Sequence, residues 1–173
     1  MLRQRGVSLM ELMVAVGVLG VLVAAGAPAL ADLTRNARVR TVAETWRDGL
    51  AQARIEATRR NQRVDFTPDG LGYEVAGRDA DDEPVVLFRW AGAEAADTVA
   101  AELLDAADAA FDGRGELVPA DVPFRADFAA VGADCRGDGG EAVCLRLEAV
   151  NGFLKVCDPA LPVGAPKACE LEH

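Results

Sequence analysis

Residues 6–31 constrain the fold more than any other part of the chain, because they contain no Lys or Arg and a single acid, Glu11. About 20 consecutive apolar residues are enough to cross a bilayer as a helix. Arg3 and Arg5 precede this stretch, and positive charge next to a span favours the cytoplasmic side for that end. The sequence therefore predicts one membrane-spanning helix, with the rest of the chain on the opposite side.

Glu11 is the residue in this stretch that needs an explanation. Placing a carboxylate within a membrane segment costs ~2.5–3.5 kcal/mol, and such groups usually have a functional partner. One alternative is that Glu11 lies close enough to the interface for its carboxylate to reach water. The other is that it neutralises a positive charge on another molecule.

The following residues, to about Arg60, have the pattern of an amphipathic helix. Apolar residues recur at steps of three and four, which is typical of one buried helical face, and they are Val39, Val42, Trp46, Leu50, Ala53 and Ala57. Arg40, Arg47 and Arg54 repeat on another face. We expect one helix from about Ser8 to about Arg60, on the order of 80 Å long at 1.5 Å per residue, and bent at Gly26 and Pro28.

Beyond residue 63 the pattern changes to short alternating segments bounded by turn residues, which indicates strands. The predicted strands cover residues 63–67, 71–75, 84–90, 122–130, 142–150 and 152–157, and the first ends at the turn tripeptide Pro68-Asp69-Gly70. Residues 93–110 are ambiguous, since their Ala and Glu content favours helix and the surrounding architecture favours strand. The fold class is α+β: a long N-terminal helix packed on a small, mainly antiparallel β-sheet head.

The four cysteines, Cys135, Cys144, Cys157 and Cys169, lie in the part predicted to be outside the cytoplasm. An even number of cysteines in that compartment indicates disulfides, and three pairings are available. We favour the local pairing of Cys135 with Cys144 and of Cys157 with Cys169. A zinc site is the alternative, but no Cys-x-x-Cys spacing or His ligand supports it, and we expect no metal and no cofactor.

Charge and composition exclude two function classes. The net charge of −10 argues against a protein that binds nucleic acid through bulk positive charge. His173 is the only histidine, and no nucleophile–base pair, phosphate loop or metal-binding spacing is evident. We therefore expect a protein without enzymatic activity.

Residues 5–12, RGVSLMEL, resemble the signal of type IV pilins and type II secretion pseudopilins. The resemblance implies cleavage by prepilin peptidase between Gly6 and Val7, followed by N-methylation of Val7, which stands where the family usually has Phe. Glu11 then becomes the fifth mature residue. Pro28 becomes residue 22, where the family commonly carries a kinking proline. An ordinary secretory signal, cut after Ala31, is the competing interpretation.

The chemistry of this cleavage suggests a role for Glu11. Cutting after Gly6 creates a charged amine at Val7 in a nearly dry environment. The Glu11 carboxylate of a neighbouring subunit can neutralise that amine, which offsets the desolvation of both charges. The hypothesis is that Glu11 drives assembly rather than membrane insertion.

Two further segments, residues 53–62 (ARIEATRRNQ) and 111–115 (FDGRG), resemble the GspH/FimT group of minor pilins and pseudopilins. This resemblance implies the pilin fold and a low-copy subunit at or near a filament tip, which helps to prime assembly. The implied partners are other minor pilins or pseudopilins, the major pilin, prepilin peptidase and an inner-membrane assembly platform. The alternative is the GspH pseudopilin of a type II secretion system, which acts in protein export.

Some FimT-type pilins bind DNA through a C-terminal Gly-Arg-x-Arg strand motif. The corresponding stretch here is residues 151–157, NGFLKVC, in which Phe153 replaces the first Arg and Lys155 keeps one positive charge. Salt-dependent phosphate binding scales with the number of cationic contacts. Lys155 is therefore a candidate DNA contact, but DNA binding is not favoured.

The expected organisation has five parts. Residues 1–6 form a leader peptide, 7–31 the transmembrane and filament-core helix, and 32–62 an amphipathic helix packed on the head. Residues 63–170 form a β-rich periplasmic head with disulfides, and 171–173 resemble a tag remnant. The expected location is the bacterial inner membrane, as a single-pass protein, and then an extracytoplasmic filament.

The net charge differs sharply between two regions of the chain. Residues 32–63 carry eight Arg and four acids, whereas residues 64–173 carry eight Lys and Arg and 23 acids. The acidic region is either a solvated surface that keeps the head soluble or a surface that contacts the basic helices of adjacent subunits.

Overall fold

The computed structural model describes residues 9–133, 135, 143–150, 152–162 and 164–169, without the side chain of Pro28. Within these residues the elements are one helix, α1 (Leu9–Arg60), and eight strands: β1 (Val64–Asp69), β2 (Gly72–Arg78), β3 (Pro84–Trp90), β4 (Val99–Leu103), β5 (Ala109–Phe111), β6 (Phe124–Ala130), β7 (Cys144–Val150) and β8 (Phe153–Cys157). The predicted long helix and the α+β fold class are confirmed.

The strands form two four-stranded antiparallel sheets rather than one. The first sheet has the order β3-β2-β1-β5, and the second has the order β4-β6-β7-β8. Consecutive strands β1–β2, β2–β3, β6–β7 and β7–β8 pair directly. The two sheets arise because β5 returns to pair with β1 while β4 pairs with β6.

The ambiguous residues 93–110 contain turns, the strand β4 and the start of β5. Their local preference for helix is overridden by pairing, because Val99–Leu103 lies antiparallel to β6 along its whole length. The strand alternative is therefore the correct one, and it takes the form of two separate strands, β4 and β5.

The first predicted strand, residues 63–67, was placed too short at its C-terminal end. In the structure β1 continues through Pro68 and Asp69 before the turn at Gly70. Proline removes a backbone donor and is tolerated where a strand has a free edge. The pairing with β5 involves only Val64, Asp65 and Phe66, so Pro68 pairs on one side alone, with Tyr73 of β2.

The core of the unit Arg35–His173 forms where α1 meets both sheets. All six residues of the predicted helical stripe are at most 2% exposed. Trp46 packs edge-on against Phe66 of β1 and Phe128 of β6, with ring centroids 5.6 and 5.1 Å apart. Its indole Nε1 donates a hydrogen bond to the Leu71 carbonyl at 2.7 Å, so this one side chain contacts both sheets and satisfies its polar atom.

Candidate functional site

The apolar part of α1 belongs to a separate compact unit, Met1–Thr34. Its large apolar side chains, from Leu9 to Leu33, are 56–76% exposed. Of the part of the chain that the structure describes, α1 is the one helix long and apolar enough to cross a membrane. An exposed apolar surface of this length is expected to be covered by lipid or by other helices.

Glu11 is the acid in the first turn of α1 and is exposed. Between Leu9 and Thr34, all of which the structure describes, the sequence contains no Lys or Arg, so this stretch offers Glu11 no cation. The proposed cleavage residues, Gly6 and Val7, lie outside the described residues. Helix α1 continues through Pro28, whose side chain is not described.

The C-terminal end of α1 has a Schellman motif, which a residue in the left-handed conformation makes possible. Asn61 has a φ of 50°. Its N–H donates to the Thr58 carbonyl at 3.3 Å, and the Gln62 N–H donates to the Ala57 carbonyl at 3.2 Å. The Gln62 side chain also donates to the Arg78 carbonyl at 2.8 Å, which fixes the helix end against β2.

The FDGRG segment, residues 111–115, packs directly on this helix end. A Cβ atom on Gly113 would lie 2.7 Å from the side-chain oxygen of Asn61 and 2.8 Å from its carbonyl carbon. Gly115 has a φ of +79°, and a Cβ atom there would lie 3.0 Å from the Thr58 hydroxyl. The two glycines therefore let this loop approach α1 closely, which gives the motif a structural role.

Asp112 stabilises the conformation of the same loop. Its carboxylate accepts the backbone N–H groups of Arg114 and Glu116, both at 2.9 Å. The hydrogen bond from the Glu116 N–H is the main cause of a lowered pKa of Asp112, and bonds from Arg114 add to it. A charged Asp112 is thereby the favoured form.

Arg54 connects this region to the second sheet. Its guanidinium Nη1 donates to the Gly152 carbonyl, in the turn between β7 and β8, at 2.6 Å. Its Nε would lie 3.1 Å from a Cβ atom on Gly115. The sequence placed Arg54 correctly on an exposed helical face, with Arg40 and Arg47, but gave no signal of its contact with a turn 98 residues away.

The four cysteines form two disulfides, Cys135–Cys144 and Cys157–Cys169, with Cα atoms 5.4 and 5.0 Å apart. This is the local pairing favoured from the sequence. The glycine-rich residues 137–140 between the first two cysteines lie outside the described residues. The second disulfide closes a segment within which Asp158 and Ala168 also form a parallel β-bridge.

A buried carboxylate lies beside each disulfide. Asp127 groups with Cys135 and Cys144, and Glu148 groups with Cys157 and Cys169, with potential ligand atoms within 4.8 Å. Disulfide sulfurs have no thiolate to offer a metal ion. Asp127 is also held by Arg146 in two hydrogen bonds of 2.7 and 2.9 Å, so these groups do not form a zinc centre in the oxidised protein.

The Asp127–Arg146 pair was not foreseen from the sequence. It joins β6 to β7, where the two residues are Cα partners, and Asp127 is only 3% exposed. The hydrogen bonds that Arg146 donates to the Asp127 carboxylate raise the pKa of Arg146 above its usual value. Alternation along the strands indicates which face each charged residue occupies. The pairing of Asp127 with Arg146 depends in addition on the register of β6 and β7, which the sequence alone does not define.

Lys155, the candidate DNA contact, lies on β8 and already has a partner. Its ammonium donates to the Ala168 carbonyl at 2.9 Å, and its Cα partner on β7 is Glu148. Phe153, at the position of the missing Arg, is 80% exposed. This geometry ties Lys155 to the disulfide-closed segment and places an acid beside it.

Comparison with known proteins gives two family matches. Residues 42–151, more than half of the chain, match the family described as type II transport protein GspH. Residues 1–27 match the prokaryotic N-terminal methylation motif. No curated protein and no solved structure matches the chain.

Proposed function

Because this chain belongs to the GspH family of type IV minor pilins and pseudopilins, we propose that it is incorporated at or near the tip of a type IV pilus and helps to prime filament assembly. The proposal depends mainly on one observation. An N-terminal methylation motif and an apolar helical segment, residues 9–31, with a single acid precede a GspH-type head in the same chain. The family is structural, and we assign the chain no catalytic role.

The assembly step follows from the charge of the apolar segment. Prepilin peptidase cuts between Gly6 and Val7 and leaves an ammonium group at Val7, which is then methylated. In a filament the Glu11 carboxylate of one subunit lies beside the Val7 amine of the next, so that each neutralises the other. Two isolated charges in a dry environment are costly, and a close pair offsets much of that cost. Pro28 adapts the helix to the packing of the filament core.

The proposed partners are other minor pilins, the major pilin, the peptidase and the assembly platform. The proposed location is the inner membrane, with residues 7–31 in the bilayer and residues 63–170 in the periplasm until the subunit enters the filament. Two disulfides and an acidic head are consistent with an oxidising, aqueous compartment.

A second candidate function is that of the GspH pseudopilin in a type II secretion system, where the pseudopilus uses the same assembly chemistry. The description of the matched family, type II transport protein, favours it. Loss of the chain would then abolish export of secreted proteins, whereas loss of a pilus primer would remove surface pili and leave export intact. A deletion strain scored for both phenotypes discriminates between the two candidates.

A third candidate, DNA capture by a FimT-like pilin, has less support. The ammonium of Lys155 is bonded to Ala168, and the head region carries a large excess of acids. If the protein captured DNA, it would bind DNA saturably at low salt and lose that binding in Lys155→Ala.

The experiment that tests the assembly role compares Glu11→Ala with Glu11→Asp, which keeps the carboxylate. We expect both variants to insert into the membrane as the wild type does. The amount of Glu11→Ala recovered in sheared filaments should be at least tenfold lower than that of the wild type, since leaving one charge of a buried pair without its partner costs about 3–5 kcal/mol. Glu11→Asp should recover part of that loss. Normal recovery of Glu11→Ala in filaments would contradict the proposed role.

A further inference from the structure

A groove of about 570 Å³ lies between the last turns of α1 and the strand β8. Its lining residues are Ala51, Arg54, Ile55, Thr58, Arg59 and Leu154. Three of these are aliphatic, and two carry a guanidinium. The groove therefore combines an apolar floor with two positive charges, whereas residues 64–173 carry a large excess of acids.

The apolar part of the groove has no cover within the described residues. Ile55 is 62% exposed. Among residues 35–60, all of which the structure describes, it is the one large aliphatic or aromatic side chain that is exposed rather than buried. It follows Ala51 by four residues, so both lie on one face of α1, away from the stripe that packs on the sheets. Ile55 therefore does not stabilise the core of its own chain.

The position of Arg54 is fixed by contacts with two turns. Its Nη1 is anchored on the Gly152 carbonyl at 2.6 Å, and its Nε lies close to Gly115. A guanidinium has five N–H donors, so one anchoring bond still allows the group to bind a carboxylate. Arg59 pairs with Glu56 at 3.4 Å while its side chain is 70% exposed. Such an exposed pair is weak and easily exchanged.

We infer that this groove docks a neighbouring filament subunit of a different sequence, through an apolar segment that carries a carboxylate. The inference rests on the proposed function, since it requires the chain to be part of a filament. Charge complementarity identifies the occupant: the groove presents the guanidinium groups of Arg54 and Arg59, in a region, residues 32–63, with eight Arg against four acids, so it attracts an acidic segment. The aliphatic floor favours a protein segment over a nucleic acid backbone, whose phosphates would leave Ala51, Ile55 and Leu154 uncovered.

Phe153 provides a matched control for Ile55. It is 80% exposed and adjacent to the groove residue Leu154, but successive residues of a strand point to opposite faces. Ile55→Glu and Phe153→Glu therefore place the same charge on the same head, one in the groove and one on the opposite face of β8. Both side chains are exposed, so neither substitution removes a core contact.

The test uses the full-length chain in cells that make filaments. Site-specific photocrosslinking with p-benzoylphenylalanine at position 55 should join the chain to another pilin-type subunit. The crosslinked peptide of that subunit, identified by mass spectrometry, should contain apolar residues and an Asp or Glu. The same probe at position 153 should not give this product. Ile55→Glu should reduce recovery in sheared filaments at least fivefold, whereas Phe153→Glu should leave it within twofold of the wild type.

Three results would overturn the inference. The first is that Ile55→Glu is recovered in filaments at the wild-type level, or that its recovery falls no more than that of Phe153→Glu. Another is a position-55 crosslink to a second copy of this chain or to nucleic acid. The third is no crosslink from position 55 while the chain is still recovered in filaments, which removes the groove's role and leaves the proposed function intact. Absence of the wild-type chain from filaments would instead overturn the proposed function and the inference with it.

Discussion

The two parts of helix α1 differ in what covers their apolar side chains. From Leu9 to Leu33 the large apolar residues are 56–76% exposed, whereas from Val39 to Ala57 the apolar stripe is at most 2% exposed. The first part has apolar residues on all sides, which suits lipid or a bundle of helices. The second part has one apolar face, which packs on the two sheets.

This difference shows that one helix obtains its stability from two sources. The second part is stabilised by contacts that the chain itself supplies, centred on Trp46 and its aromatic neighbours. The first part depends on an environment outside the chain. In its proposed role Glu11 makes that dependence more specific, because the hydrocarbon chains of lipids cannot neutralise a carboxylate. Substitutions in the two parts should therefore affect different measurements.

The largest expected effect is that of Trp46→Ala. This side chain is fully buried, and its loss leaves a cavity where α1 packs on the two sheets and removes the hydrogen bond to the Leu71 carbonyl. We expect the free energy of unfolding of the head to fall by about 3–5 kcal/mol. Leu22→Ala, at a residue that is 63% exposed, should change it by less than about 0.5 kcal/mol. Denaturant unfolding of the full chain in detergent, followed by circular dichroism, measures both. Similar losses would mean that the two parts are not independent.

Gly49→Ala should have an intermediate effect on stability. It tests whether the steric cost of a Cβ atom against Tyr73 outweighs the higher helix propensity of Ala. Ala is favoured over Gly in a helix by about 1 kcal/mol. A Cβ atom at Gly49 would lie 2.6 Å from the Tyr73 hydroxyl oxygen and 2.7 Å from its Cε2. The Tyr73 ring is 6% exposed and stacked on Phe66 at 4.7 Å, so it has little room to move. We expect a net loss of about 1–3 kcal/mol. An increase in the melting temperature would show that this contact is adaptable.

The smallest expected effect concerns the pH dependence of the head. Burial, with a smaller contribution from the charge of Asp48, raises the pKa of Tyr73, so the folded state favours the neutral phenol. Its contribution to stability is therefore complete below the unfolded pKa of about 10, and it is lost as the pH rises through the higher folded pKa. Tyr73 is the only tyrosine, so the ultraviolet absorbance of the phenolate reports it directly. Tyr73→Phe should show a smaller loss of stability above pH 10 than the wild type. Titration of Tyr73 at or below the pKa of a free tyrosine would contradict its burial.

Periodicity predicted the parts of the fold that depend on local pattern. The helix, its buried stripe and strands such as β1 could be predicted from the sequence because each buries residues at a fixed spacing. The division of strands between two sheets could not, since it depends on long-range pairing such as that of β5 with β1. The same limit applies to residues 93–110, where tertiary pairing overrides local propensity.

The candidate site likewise contains one feature that the sequence could predict and others that it could not. The role predicted for Glu11 follows from the cost of a charge in an apolar segment, which is a property of composition alone. The contacts of Arg54 with Gly152 and of Lys155 with Ala168 join residues that are far apart in the chain or lie on different elements. No local pattern encodes such contacts, so the groove beside Ile55 could be identified only from the structure.

The N-terminus of the protein recovered from sheared filaments tests the central claim most directly, and intact-mass measurement with N-terminal sequencing determines it. We expect the chain to begin at Val7 and to carry one added methyl group, with Glu11 as its fifth residue. A chain that begins at Met1, or one that begins at Asp32 and so lacks the apolar segment, would show that the protein is not processed as a prepilin.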